Sequence, residues 1–173
     1  LVRERPRRIP RRSGVRLPEP PDGHRVRRAI FAQRGDHADI RHFEILGKVI
    51  WRQPIAVTEV EKVHAVSSPA TSTPLTDGER IYVYSGSYGL LAYDWNGKLE
   101  WEYPMGVAKS PYGSGSSPSL VGDVIVITRD YPPDPFVVAV SRKDGKLAWK
   151  VDLTKAIQAG PRTAHSTPVV WKD

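Results

Sequence analysis

One motif occurs three times in this sequence, and it limits the possible folds more than any other feature. The pattern Gly-Lys-x-x-Trp begins at Gly47, Gly97 and Gly145, at intervals of 50 and 48 residues. A second anchor, Ser/Thr-Pro, recurs at intervals of 44 and 50 residues and ends at Pro74, Pro118 and Pro168. Because the two anchors alternate in the same order each time, the chain is built from repeated units of just under 50 residues.

Each unit contains short runs of β-branched and aromatic residues that are bounded by Gly, Asp, Ser and Pro. Such runs are typical of strands in an antiparallel sheet, and they occur at residues 80–84, 90–93, 124–128 and 136–140. A unit with four short strands and this period has the size of one β-propeller blade. The sequence therefore predicts an all-β fold in which four-stranded antiparallel blades form a partial propeller of about two to three blades.

The repeated glycine and tryptophan have a structural explanation. Glycine lets the turn between the third and fourth strands of a blade adopt positive φ. Tryptophan on the outer strand offers a large apolar surface, and its N–H can find a partner across the blade junction. We therefore predict that these residues dock neighbouring blades and do not stack a flat cofactor: Gly47, Trp51, Gly97, Trp101, Gly145 and Trp149. Trp95 lies in a turn, and we expect it at the surface or at an interface.

The combined pattern S-[ST]-P … D-G-x-x-x-Y-V … L-x-A-x-D … G-K-x-x-W resembles the repeat of PQQ-like β-propellers over residues 47–173. That family includes the quinoprotein alcohol dehydrogenases and the propeller lipoprotein of the bacterial outer-membrane assembly machinery. Two places depart from the pattern, because Ser141 replaces the usual aspartate and residues 38–46 match poorly. The resemblance implies a periplasmic or otherwise extracytoplasmic location. It also implies that further blades of the same chain are needed to close the propeller.

The net charge of +7 is confined to the N-terminal part of the chain. Residues 1–48 contain 13 Lys/Arg and 6 Asp/Glu, whereas residues 49–173 contain 13 of each kind. Residues 1–46 are rich in Arg and Pro, and we expect them to be disordered or not native to the propeller. A short helix around Ala29–Phe43 is the one element predicted there, and the propeller domain is predicted to span residues 47–173. Charge alone is a poor argument for binding nucleic acid, and we expect no such partner.

Composition excludes several other classes of protein. The chain has no cysteine, so a disulfide scaffold, a Cys-based metal site and a thiol nucleophile are ruled out. Its longest apolar runs are far too short to span a bilayer, and no signal-peptide h-region is visible.

Candidate ligand-binding residues come from the loops that enter the innermost strands, because these loops ring one mouth of a propeller channel. They are His64, Ser67, Tyr112, Ser116 and His165. His64 and His165 both precede Ser/Thr-Pro anchors, so adjacent blades could aim them at one volume. The alternative is that they are hydrogen-bonded lining of the channel. Isolated histidines do not make a metal site, and we predict none.

Two functions remain open from the resemblance. The first is a binding or scaffold module of the bacterial cell envelope, without catalysis, that receives a protein partner or a small ligand at the channel. The second is a fragment of a PQQ-dependent dehydrogenase that oxidises alcohols or sugars. Dehydrogenases of the family use PQQ, calcium, a catalytic aspartate and often adjacent cysteines, so PQQ and calcium are implied by resemblance alone. No aspartate here can be matched to the catalytic base, and the catalytic residues are unknown.

Overall fold

The computed structural model describes residues 27–34, 37–44, 49–69, 71–131, 133–155 and 165–171. These residues form eleven strands and no helix, in three separate antiparallel sheets. The first sheet contains β1 (Arg27–Arg34), β2 (His37–Glu44) and β3 (Val49–Ile55). The described part of the chain therefore also lacks any helix that could cross a membrane.

The second and third sheets each contain four strands in sequence order. The second sheet consists of β4 (Leu75–Thr76), β5 (Ile81–Ser85), β6 (Gly89–Tyr93) and β7 (Leu99–Pro104). The third consists of β8 (Ser119–Val121), β9 (Val124–Arg129), β10 (Phe136–Ser141) and β11 (Leu147–Asp152). We refer to the three sheets as the first, second and third blades. The predicted all-β fold with four-stranded antiparallel blades is confirmed, as an open, partial propeller.

The predicted helix around Ala29–Phe43 is wrong, because this stretch forms β1 and β2 of the first blade. β2 pairs with β3 across residue 47, and the predicted division of the chain into domains at that point stays a prediction. A register shift lies between the pairs formed by His42 and Phe43. The strand was not recognised because five of the eight residues of β2 are His, Asp, Arg or Glu. The prediction that residues 1–46 are disordered or not native to the propeller stays a prediction, and residues 1–26 lie outside the described residues.

The register shift recurs at the same place in all three blades. Trp51 pairs with His42, Trp101 with Ala92 and Trp149 with Ala139, and each shift follows directly after that pair. His42-Phe43-Glu44 therefore occupies the position of the Ala-x-Asp segment of the second blade. The first blade is thus a third copy of the repeat, in which histidine replaces the alanine that marks the others.

Apolar side chains fill the two spaces between neighbouring blades. Between the first and second blades the core contains Ile40, Ile55, Ile81, Val83, Leu91 and Tyr93. Between the second and third blades it contains Tyr82, Tyr84, Leu90, Ala92, Trp101, Ile125, Ile127, Phe136, Val138 and Val140. Since each blade covers the face of its neighbour, the strands β5 and β6 are buried on both sides.

Tryptophan and glycine of the repeated motif meet at each blade junction. The indole N–H of Trp101 donates to the Arg142 carbonyl at 3.0 Å, and a Cβ added to Gly145 would lie 2.7 Å from the Trp101 ring. Trp51 makes the same contacts with the second blade, where its N–H donates to the Trp95 carbonyl at 3.0 Å. Gly97 lies against the Trp51 ring, with φ at +86°. Each of these glycines therefore serves both the turn and the docking of the preceding blade.

The two ends of the motif series differ from its middle. Trp149 lies on β11, the outer strand of the third blade, and is 44% exposed, whereas Trp101 is 8% exposed. Gly47 lies outside the described residues. Trp95 is half-buried, and its indole N–H donates to the Gly78 carbonyl of its own blade, so it borders the first junction.

Candidate functional site

The loops at one end of the blades frame the candidate site. Successive strands of each blade run antiparallel, so the segment before β4, the β5–β6 turn and the segment after β7 share one end. We call this end the mouth and the opposite end, which carries the Gly-Lys turns, the base. The mouth loops are residues 56–69 with 71–74, residues 86–88, and residues 105–118. Loops at the ends of propeller strands commonly carry binding residues.

The mouth loops bring the aromatic residues among the predicted ligand-binding positions together. The ring of Tyr112 lies 6.2 Å from the ring of His64 and 6.3 Å from the ring of His165, measured between centroids. Tyr112 is half exposed, so part of its ring is open to solvent. Three rings from three successive segments therefore form one aromatic row at the mouth.

Hydrogen bonds between loops hold this row in place. The backbone N–H of His64 donates to the Pro111 carbonyl at 2.8 Å, and the Ser67 hydroxyl donates to the Tyr112 carbonyl at 2.6 Å. A Cβ added to Gly115 would lie 2.8 Å from Cβ of His165, so glycine is needed there for the histidine to pack. Ser116, the remaining predicted residue, is buried beside this glycine in the chain. Whether these five residues bind a ligand stays a prediction.

Glu61 is a mouth residue that sequence reasoning missed. Its side chain is 2% exposed, and its Oε1 accepts a hydrogen bond from the Ser114 hydroxyl at 3.3 Å. Its backbone N–H donates to the Ser87 hydroxyl at 3.1 Å, and its carboxyl group packs so closely on Gly86 that a Cβ there would overlap it. Burial raises the pKa of Glu61 to about 7, although the Ser114 hydrogen bonds and the Arg129 charge lower it in part.

Arg129 is a second buried charge that the sequence analysis did not single out. It ends β9, and its guanidinium donates to the carbonyls of Met105 and Val107 at 2.6 and 2.9 Å. Its guanidinium carbon also lies 5.6 Å from the centre of the Tyr131 ring. Arg129 thus ties the segment after β7 to the third blade. An arginine that ends an otherwise apolar strand was the signal available for it, whereas Glu61 lies in a loop without any repeated pattern.

Two buried tyrosines complete the polar cluster under the mouth. The hydroxyl groups of Tyr84 and Tyr131 lie 3.4 Å apart, and burial raises the pKa of both. Asp130 follows Arg129 and is half-buried, and burial raises the pKa of its carboxyl group as well. The second blade, the third blade and the loops between them therefore all contribute ionisable groups to one region.

Several buried polar atoms at the mouth have no hydrogen-bond partner among the described residues. They are Glu61 Oε2, Ser72 Oγ, Ser85 Oγ, Ser116 Oγ, Asp130 Oδ1, Arg129 Nε and both ring nitrogens of His165. Buried polar atoms are nearly always satisfied in folded proteins, so this concentration marks a place where water or a ligand supplies the missing bonds. Among the described residues, no group of three His, Asp or Glu side chains is placed to hold a metal ion.

The blades, the docking motif and the mouth define a class: the chain is part of a PQQ-like β-propeller. The sequence model of one family, described as outer membrane protein assembly factor BamB, matches residues 30–173. The chain belongs to this family. A search among curated proteins found no match.

The chain is also similar to parts of several solved structures. The chain is similar to a europium-containing methanol dehydrogenase, with a TM-score of 0.51 and 11% identity, over 71% of this chain and 24% of that one. It is also similar to BamB from Moraxella catarrhalis, with a TM-score of 0.47 and 17% identity, over 72% of this chain and 33% of that one. For a quinohemoprotein alcohol dehydrogenase from Pseudomonas putida HK5, the TM-score is 0.49 at 19% identity, over 68% of this chain and 18% of that one. The chain thus spans a third or less of the length of each of these proteins.

Proposed function

We propose that this chain belongs to a propeller that works as a binding or scaffold module in the bacterial cell envelope, and that the mouth is its binding surface. Membership of the BamB family supports an extracytoplasmic location and a protein partner, because the family is described by a role in outer-membrane protein assembly. Further blades of the same chain would close the propeller around the channel.

The group of unpartnered buried atoms at the mouth carries this proposal. Glu61, Ser116 and His165 each bury polar atoms without a partner among the described residues, and such burial costs free energy. A bound molecule with hydrogen-bonding groups would recover that cost. The exposed part of the Tyr112 ring, with His64 beside it, provides an apolar surface next to those polar groups. Apolar surface beside a few convergent polar groups is typical of ligand-binding sites.

The docking tryptophans and the acidic residues described here do not by themselves form a PQQ and calcium site, so a dehydrogenase would need residues beyond them. Trp51 and Trp101 offer no open face to a stacked quinone, because they are packed on glycine turns at the blade junctions. Calcium needs several oxygen ligands in one place, and no group of three acidic or histidine side chains among these residues offers them.

Site-specific photo-crosslinking tests the mouth as the binding surface. A photoreactive phenylalanine analogue would replace Tyr112 at the mouth and, as the matched control, Lys143, which is exposed at the base. After expression in the envelope of a host bacterium, we expect a discrete adduct from position 112 that excess unlabelled protein suppresses, and none from position 143. Equal labelling from both positions, or none from position 112, would contradict the proposal.

The dehydrogenase alternative has its own experiment. The protein would be incubated with PQQ and calcium, and dye-linked oxidation of primary alcohols would be followed. Turnover above that of the same mixture containing heat-unfolded protein would refute the scaffold proposal, whatever the crosslinking result.

A further inference from the structure

We propose that Glu61 makes the docking of the mouth loops depend on pH. Its neutral carboxyl group holds the three mouth loops together, and ionisation of this group releases the segment before β4. This inference goes beyond the binding proposal and holds whatever molecule the mouth receives, because it concerns the loops themselves.

Glu61 joins three separate parts of the chain. It belongs to the segment before β4, its backbone N–H is bonded to Ser87 of the β5–β6 turn, and its carboxyl group is bonded to Ser114 of the segment after β7. Gly86 has no side chain, so the β5–β6 turn packs directly against the carboxyl group of Glu61. Loosening Glu61 therefore separates all three mouth loops at one point.

The surroundings favour the neutral form of this carboxyl group. Oε2 has no hydrogen-bond partner among the described residues, and an ionised carboxylate needs several donors to be stable when buried. Arg129 is the cation that acts on Glu61, but its guanidinium donates to the Met105 and Val107 carbonyls. The buried Tyr84 and Tyr131 face the same space, and their raised pKa values keep both hydroxyl groups neutral up to alkaline pH.

The direction of the pH effect follows from this raised pKa. Burial raises the pKa of Glu61 from an ordinary value of 4.5 to about 7, so the docked loops hold the proton more tightly than the open ones. Stabilisation of the docked state is complete below pH 4.5 and is lost as the pH rises to about 7. Since one pKa unit corresponds to a factor of ten, the open population should rise by up to about 300-fold across this range.

Amide hydrogen exchange of the full chain measures this opening directly. The reporter is the His64 amide, which is bonded to the Pro111 carbonyl across two mouth loops. After correction for the intrinsic rate, its protection should fall by about 75-fold between pH 5 and pH 8.5 in the wild type, and should stay constant in Glu61→Gln. The glutamine variant retains His64, Asp130 and His165, so any contribution from those groups is common to both proteins. Protection of the Val83 amide in β5 should not change in either protein.

A second variant keeps the acid and shifts its transition. Ser114→Ala removes a hydrogen bond that lowers the pKa of Glu61, so the loss of His64 protection should move to higher pH. Parallel behaviour of the wild type and Glu61→Gln would overturn the proposal. So would an equal loss of protection at Val83, which would indicate global unfolding, or a shift to lower pH in Ser114→Ala.

Discussion

Adding one methyl group at Gly145 should destabilise the junction between the second and third blades. A Cβ there would lie 2.7 Å from Cε3 and 2.9 Å from Cδ2 of Trp101, closer than carbon atoms can approach without displacement. The backbone of Gly145 is also left-handed, with φ at +70°, a conformation that costs an L-residue about 1–2 kcal/mol. Two separate penalties therefore act on Gly145→Ala.

Gly122 provides a control in which only one of these penalties acts. Its φ is +58°, and a Cβ there would meet nothing within 4 Å. Gly122→Ala should therefore cost only the backbone term, about 1–2 kcal/mol. Gly145→Ala should cost a further 1–3 kcal/mol or so, which is the usual range for overpacking a well-packed core. The difference between the unfolding free energies of the two variants is the contribution of the clash with the docked indole ring.

Urea unfolding at constant pH measures both variants, with equal m-values as the condition for comparing them. A third protein, Gly145→Ala combined with Trp101→Ala, removes the ring that the methyl group strikes. In that background the cost of Gly145→Ala should fall to the cost of Gly122→Ala. Equal destabilisation by the two single glycine variants would refute the reasoning, because it would mean that the indole does not pack on Gly145.

Two further comparisons follow from the same structure. Trp101→Ala removes a core side chain and should lower the free energy of unfolding by about 3–5 kcal/mol. Trp149→Ala should lower it clearly less in the same urea assay, because Trp149 is 44% exposed. Similar losses in the two variants would contradict the difference in docking. Burial alone would raise the pKa of Asp77, but the hydrogen bond from the Tyr82 hydroxyl at 2.7 Å and those from two backbone amides bring it below the ordinary value. The stability that Asp77 provides is therefore present above the ordinary aspartate pKa and is lost as the pH falls through the lowered one. Between pH 5 and pH 2, Asp77→Asn should show a smaller loss of unfolding free energy than the wild type, and equal losses would contradict the prediction.

The second and third blades were predictable because their repeat is local. Each of these blades contains a strand with alanine, then a Gly-Lys turn, then a tryptophan two residues after the first residue of the outer strand. These three features lie within about ten residues of one another. The first blade was missed because its counterpart of that alanine is His42, and because five of the eight residues of β2 are His, Asp, Arg or Glu. Pairing with β3 and packing of Ile40 against the second blade, not local preference, place that segment in the sheet.

For the candidate site, the residue types at the mouth were predictable, but their chemistry was not. Loop position alone was enough to select His64, Tyr112 and His165, because the loops before innermost strands share one end of every blade. Glu61 and Arg129 are 68 positions apart in the chain and follow no period, so nothing in the sequence connects them. Their charges act on each other only because two blades and a long loop converge on the same place.

The sequence by itself determined the architecture. The repeated glycine turns and docking tryptophans specify a blade, and their spacing specifies how the blades follow one another along the chain. Only the tertiary structure decided which polar groups are buried and which of them lack partners. Burial depends on every segment that covers a group, and at the mouth three loops from distant parts of the chain do so together. That is why a glutamate with no distinguishing sequence context becomes a carboxyl group that titrates near pH 7.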